Sequence, residues 1–244
     1  MRSFDHAPRL LAFALGPVLL PQGRRTLARV PRLDEAGGTA TATVGDAHAP
    51  NTLSLLVAGE STAVGVGVDT HHDGIAPVIA AGLHEATDRT VTWHVNGRNG
   101  GRLRTTGARQ LPPLTGEHDV IVLMLGVNDT LGLTSATRWR REIETLLTQA
   151  RARLRPRGVI VLAGVPQLGT FTALPQPLRA VMGWHGAALD GVLSRVARLH
   201  ADVVHVPTPA ISDPEDLATD GFHPSATGYR RWGERLAEAV MPIA

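Results

Sequence analysis

A chain of 244 residues with 43% hydrophobic content can bury the core of one α/β domain, or one domain plus an appendage, and is too apolar to stay disordered. All 24 basic residues are Arg against 22 acidic ones, for a formal net charge of +2; the strongly basic isoelectric point follows from having no Lys or Cys and one Tyr to titrate, and the scattered arginines do not mark a nucleic-acid binder. The absence of Cys excludes disulfides, a thiol nucleophile and thiolate metal ligation, and no run reaches the roughly 18 apolar residues that a membrane span needs.

Residues 1–50 read as an N-terminal appendage. Leu10–Leu20, LLAFALGPVLL, follows Arg2 and Arg9 and is broken at Gly16 and Pro17. It has the length of a signal-peptide apolar region, but QGRRTLARVPR trails it rather than a small-residue cleavage site, and it reads equally as a helix packed on the domain. The arginines behind it favour a cytoplasmic, membrane-peripheral location over a secreted one. Arg32–Asn51, rich in Gly, Ala, Thr and Asp without period, reads as a linker or irregular wrap.

From Asn51 the pattern becomes regular and fills residues 51–244 as one domain. Thr52–Ala58 is a strand, Gly74–Ala86 a helix, Thr90–Val95 a strand, and Asp119–Leu125 a continuous apolar strand of the central parallel kind. Thr134–Leu154 is a long helix with Thr134 or Ser135 as N-cap. Gly158–Val165 is a buried strand, Leu178–His200 a helix, Asp202–Val206 a short strand and Ser225–Met241 a closing helix. This alternation predicts an α/β fold with a five-stranded parallel sheet and helices on both faces.

Ligands of such sheets bind beyond the carboxyl ends of the strands, at a topological switch point. The residues just past each strand end are therefore informative. Gly59-Glu60-Ser61 comes after the first, NGRNGG (Asn96–Gly101) after the second, GVND (Gly126–Asp129) after the third, and DGFHPS (Asp220–Ser225) precedes the last helix. Singly, each has an ordinary use: Ser61 as a cap, NGRNGG as a turn, Asp129 as a helix cap, Pro224 at a helix start. Together they supply an acyl-transfer site on one edge. A serine hydroxyl needs a base to become a nucleophile. Asp220, three residues before His223, can hold one ring nitrogen and leave the other for Ser61. The Ser61 N–H, a glycine N–H of NGRNGG and the Asn128 amide can hold the oxyanion.

Two other patterns carry less. DTHHDG (Asp69–Gly74) invites a metal, but adjacent histidines do not easily face one ion and no third cluster completes a ligand set. NGRNGG lacks the glycine spacing of a dinucleotide fingerprint, and Gly59-Glu60-Ser61-Thr62-Ala63 is not a G-x-S-x-G elbow.

In order, Ser61 in GES, the glycine of NGRNGG, Asn128 in GVND and His223 in DGFHP resemble the four blocks of the SGNH hydrolases, or GDSL esterases/lipases, over Leu53 to about Val240. Glu60 stands where that family has Asp. The resemblance implies a flavodoxin-like three-layer sandwich, a shallow site, no cofactor and no metal, and hydrolysis of carboxylic esters with small or medium acyl groups through an acyl-serine. It implies Ser61, Asp220 and His223 as catalytic residues, with Ser61, Gly100 and Asn128 forming the oxyanion hole. Aligning GRNG with the family's G-x-S-G pattern selects Gly100; a turn one residue longer selects Gly101. Related readings are an O-acyltransferase, a lysophospholipase or thioesterase on the same site, and a ligand-binding module that keeps only the groove. The partner implied is a small-molecule, lipid or carbohydrate ester, with no nucleic acid and with peripheral membrane contact through the N-terminus. Thr170–Gly186, TFTALPQPLRAVMGWHG, is expected to flank the cleft or to pack the neighbouring helix.

Overall fold

The computed structural model describes residues 7–103, 111–210 and 213–240; Arg2 and Met241, at the outer ends of two sequence readings, lie outside them. The strands among these residues are β1 (Thr41–Val44), β2 (Thr52–Gly59), β3 (Thr90–Gly97), β4 (His118–Met124), β5 (Leu154–Ala163) and β6 (Val203–Val206). The helices are α1 (Ala7–Ala14), α2 (Gly16–Arg29), α3 (Ile75–Thr87), α4 (Val127–Leu131), α5 (Ala136–Arg151), α6 (Leu178–Ala197) and α7 (Ala226–Val240).

The sheet order is β1-β3-β2-β4-β5-β6, with β2 to β6 parallel and β1 antiparallel to β3. Successive side chains of a strand point to opposite faces, and here each face meets a helix layer. Leu53, Leu55, Val57, Val120 and Val122 pack with Ile79 and Leu83 of α3 and Tyr229 and Leu236 of α7. Leu56, Ala58, Ile121, Leu123 and Ile160 pack with Trp139 and Ile143 of α5 and Leu189 and Leu193 of α6. Residues 55–58 of β2 and 120–124 of β4 are therefore apolar at every position, as a sheet covered on both faces requires. Each such Leu or Ile contributes roughly 1.5–3 kcal/mol by leaving water.

Among the described residues the sheet holds the five parallel strands that the sequence predicts and one antiparallel strand more. The extra one, Thr41–Val44, comes from the stretch that reads as a linker. It is short and half exposed, so it carries no apolar alternation to betray it. Pairing with the open edge of β3 holds it, from Thr41 opposite His94 to Val44 opposite Val91, and Thr43 Oγ1 meets Thr92 Oγ1 at 3.0 Å. Ser135 is the N-cap of α5, its side chain accepting from the Arg138 N–H. Thr134 instead donates its hydroxyl to Asp129 Oδ1 at 2.7 Å.

The apolar run at residues 10–20 forms two helices that break at Leu15, with Gly16 and Pro17 as the first two residues of α2. They lie against α6, where Ala12 and Leu19 join Leu168, Phe171, Leu178, Val181 and Met182 in a third apolar cluster. Gln22 fastens this contact, its Nε2 donating to the Gln176 carbonyl at 2.7 Å while its Oε1 accepts from the Leu178 N–H at 3.2 Å.

Candidate active site

β2 and β4 are neighbours, and the chain leaves them toward opposite sides of the sheet, so their carboxyl ends form the switch point. Gly59 makes that junction tight. A Cβ at Gly59 would stand 2.0 Å from the Met124 carbonyl oxygen, which no other residue type survives. The next N–H, of Glu60, donates to that same carbonyl at 3.0 Å. Ser61 then falls at the strand end, 8% exposed.

Glu60 points under the site rather than into it. It is buried, and its carboxylate accepts from the Val127 N–H at 2.7 Å, the Asn128 N–H at 3.0 Å and the Asn128 Nδ2 at 2.5 Å. The first N–H groups of a helix lack partners within it, and Gly126, at the N-cap of α4, has no side chain to serve them. Glu60 serves them from the neighbouring strand end and fixes the Asn128 amide in the same gesture. Burial outweighs these hydrogen bonds and lifts the Glu60 carboxyl from 4.5 to about 7.

The loop before α7 is organised by one carboxylate. Asp220 Oδ1 accepts from the N–H groups of Phe222 (2.9 Å) and His223 (3.0 Å), and Oδ2 lies 2.5 Å from His223 Nδ1. Burial pushes the Asp220 carboxyl up, but the bonds from the His223 side chain and the two backbone N–H groups prevail and hold it below its usual range. With Nδ1 engaged, Nε2 is the basic nitrogen. Tyr229 of α7 donates to the Val66 carbonyl at 2.8 Å, which ties the helix after His223 to the turn after Ser61.

Ser61, Asn128, Asp220 and His223 all line one cavity of about 970 Å³. Its apolar wall includes Val127, Leu131, Pro166 and Phe171. Within Thr170–Gly186 the two expected uses are both found, since Phe171 reaches the cavity while Leu174, Leu178, Val181 and Met182 pack the third cluster. Thr26, Leu27 and Val30–Asp34 complete the wall from the N-terminal segment.

Gly100 is placed differently from the other three blocks. It sits at the third position of a turn closed by the Gly101 N–H donating to the Arg98 carbonyl at 3.0 Å, with φ of +70°. That is the type II turn position that calls for glycine. Neither Gly100 nor Gly101 is among the residues lining the cavity; Asn99 is, and its N–H donates to Glu35 Oε1 at 2.7 Å. Asp129, which reads as a cap, is instead buried inside α4 and accepts from the Leu103 N–H at 3.2 Å and from Thr134.

Glu60, which the sequence reading names only as a departure from the family, and Asn99 and the N-terminal wall, to which it gives no role in the site, are further lining or supporting residues. A carboxylate beside a candidate nucleophile at a buried strand end is a signal for Glu60. The wall residues have no such signal, because nothing local ties residues 26–34 to strand ends far along the chain.

Another Ser–His pair lies at the opposite edge of the sheet. Ser54 Oγ is 2.9 Å from His118 Nδ1, and His118 Nε2 is 2.8 Å from the Thr115 carbonyl. That carbonyl makes Nε2 the donor and Nδ1 the acceptor. Both residues are buried and outside the cavity lining, so the pair serves the strand ends. At DTHHDG, Thr70 Oγ1 donates to Asp73 Oδ2 at 2.7 Å and the His72 ring packs edge-on to Trp93. Among the described residues no three His, Cys, Asp or Glu side chains gather where an ion could be held.

Residues 57–231 match the model of the GDSL-like lipase/acylhydrolase family. The GDSL-like esterase Rv1075c of Mycobacterium tuberculosis is 30% identical over 198 residues, which is 74% of this chain and 59% of that protein; the chain thus spans under two thirds of its relative's length. Among solved structures, a lipase from a goat rumen metagenome superposes with a TM-score of 0.56 at 18% identity, covering 77% of this chain and 97% of its own. A family two carbohydrate esterase from Clostridium thermocellum gives 0.56 at 18%, over 80% and 66% of the two chains. The carbohydrate acetylesterase Est24 from Sinorhizobium meliloti gives 0.55 at 17%, over 79% and 100%. At these identities the likeness establishes the fold.

Proposed function

Because the chain belongs to the GDSL-like lipase/acylhydrolase family, we propose that it is a serine esterase whose nucleophile is Ser61. The observation that carries this reading is the convergence of Ser61, Asn128 and the Asp220–His223 pair on one cavity. His223 Nε2 takes the Ser61 proton as Oγ attacks the ester carbonyl, and the tetrahedral oxygen takes up the negative charge. The Ser61 N–H and the second hydrogen of Asn128 Nδ2 face that charge, the first hydrogen being given to Glu60. Collapse expels the alcohol, which leaves with the proton held on His223. Water then attacks the acyl-serine by the same route, releasing the acid and restoring Ser61. Asp220 keeps the ring in the tautomer this needs. In this reading the Gly100 N–H is the third donor to the oxyanion.

The apolar wall of Val127, Leu131, Pro166 and Phe171 supports an acyl group of small to medium length. An alcohol acceptor in place of water would make the same site an acyltransferase, and adding one to the assay separates the two. A fluorophosphonate is expected to label Ser61 and no other serine, and Ser61→Ala is expected to lose turnover on p-nitrophenyl acetate with the fold unchanged. Full activity in that variant would end this reading.

A further inference from the structure

Nine large apolar side chains are strongly exposed among the described residues, and six of them, Leu10, Leu11, Phe13, Val18, Leu20 and Leu27, lie on the two N-terminal helices. Scattered exposed leucines need no explanation, whereas a concentration on one element does. Two further facts say what covers it. From His6 to Leu33 the sequence has five Arg and no acidic residue, and Arg24, Arg25 and Arg29 are exposed on α2. Apolar side chains interleaved with cations on a short helix fit the boundary between acyl chains and anionic headgroups. The patch is also continuous with the cavity, since Leu27, 74% exposed on α2, lines the cavity wall as well.

We propose that α1 and α2 dock this protein on an anionic lipid surface, with the cavity mouth opening at the lipid boundary. The helices lie on that surface rather than across it, because neither is long and apolar enough to span a bilayer. A second copy of the chain is a poorer occupant: a two-fold contact would set these arginines against their own mates. Docking stands apart from the esterase reading; only its consequence, that the hydrolysed ester is drawn from the lipid layer, rests on that reading.

The test is cosedimentation of the full chain with vesicles of phosphatidylcholine alone or of phosphatidylcholine and phosphatidylglycerol in equal parts. Strong binding to the mixed vesicles, weakened by salt, is expected. Arg24→Gln with Arg25→Gln is expected to lower that binding about fivefold per arginine removed and to leave the weak binding to neutral vesicles unchanged. Leu10→Gln, Phe13→Gln and Leu20→Gln together are expected to lower binding to both vesicle types by at least about tenfold. In both variants turnover of a soluble acetate ester is expected to persist while hydrolysis of a long-chain ester held in mixed vesicles falls with binding. Failure of the wild-type chain to bind mixed vesicles overturns docking, as does binding indifferent to the arginines. A wild-type dimer that the three Gln substitutions turn into a monomer also overturns it, by showing a second copy on the face. Vesicle binding without hydrolysis of any ester leaves docking in place and removes the esterase reading instead.

Discussion

In the proposed reaction Asn128 carries two duties on one amide nitrogen, and this decides how its variants behave. One Nδ2 hydrogen goes to Glu60, and the other serves the oxyanion in the proposed reaction. A donor that meets its charge mainly in the transition state contributes to kcat rather than to substrate affinity. Asn128→Ala is therefore expected to lower kcat by about 10²–10³, or roughly 3–4 kcal/mol, with KM nearly unchanged in steady-state kinetics. A rise in KM alone would make Asn128 a substrate-binding residue. Glu60 is tested through stability. In the native chain it keeps its proton to about pH 7, against 4.5 for an unperturbed carboxyl. Between those values the folded state binds the extra proton, so Glu60 makes stability fall as pH rises from about 4.5 to about 7. At 1.36 kcal/mol per unit the change amounts to about 3 kcal/mol. Urea unfolding of wild type and Glu60→Gln across this range should show wild type losing about that much relative to the variant. A constant difference would mean that Glu60 ionises well below pH 7.

Each block of the proposed site depends on an element whose own packing is ordinary. The Ser61 block rests on β2 and the Asn128 block on α4, and their mutual position is set by adjacent parallel strands and by Glu60 reaching from one to the other. On the far face, α5 and α6 hold β4 and β5 from behind. Trp139 anchors that pair; it is fully buried and its Nε1 donates to the Leu189 carbonyl at 3.2 Å. Trp139→Ala is expected to cost about 3–5 kcal/mol by denaturant unfolding. A loss under about 1 kcal/mol would mean that the α5–α6 interface closes over the gap. α2 is the element whose role the sequence hides. Its pattern marks it as apolar and basic, and only its seat on α6 brings Thr26 and Leu27 to the cavity.

Across the described residues, the N-terminal segment is stitched into the domain at places that include the cluster under Ala12 and Leu19, the Glu35 contact with Asn99, and β1 on the sheet edge. Removing residues 1–29 keeps the last two and removes the first. The truncated chain is expected to fold with a melting temperature lower by roughly 5 °C, the shift that about 2 kcal/mol makes at this size. Turnover of a short soluble ester is expected to stay within about tenfold of wild type, because the four blocks lie after Asn51. KM for longer acyl chains is expected to rise as Leu27 leaves the wall. An unchanged chain-length preference, read from a series of p-nitrophenyl esters, would show that the segment takes no part in shaping the pocket.

The order of blocks after buried strands made the fold class and four residues of the cavity legible from the sequence, because strand periodicity and the sheet-edge rule depend on local pattern. Ser61, Asp220 and His223 could be named for the same reason, the last two being only three positions apart. What only the tertiary structure decided are the contacts between distant segments. Thr41–Val44 becomes a strand through the free edge of β3 and not through its own composition. Gly100 takes the left-handed position of the 98–101 turn, with φ of +70°, a conformation its loop sets only when closed. Glu60 becomes the cap of α4, and residues 26–34 a cavity wall, because parallel strand ends and a helix hairpin bring together groups that no spacing along the chain relates.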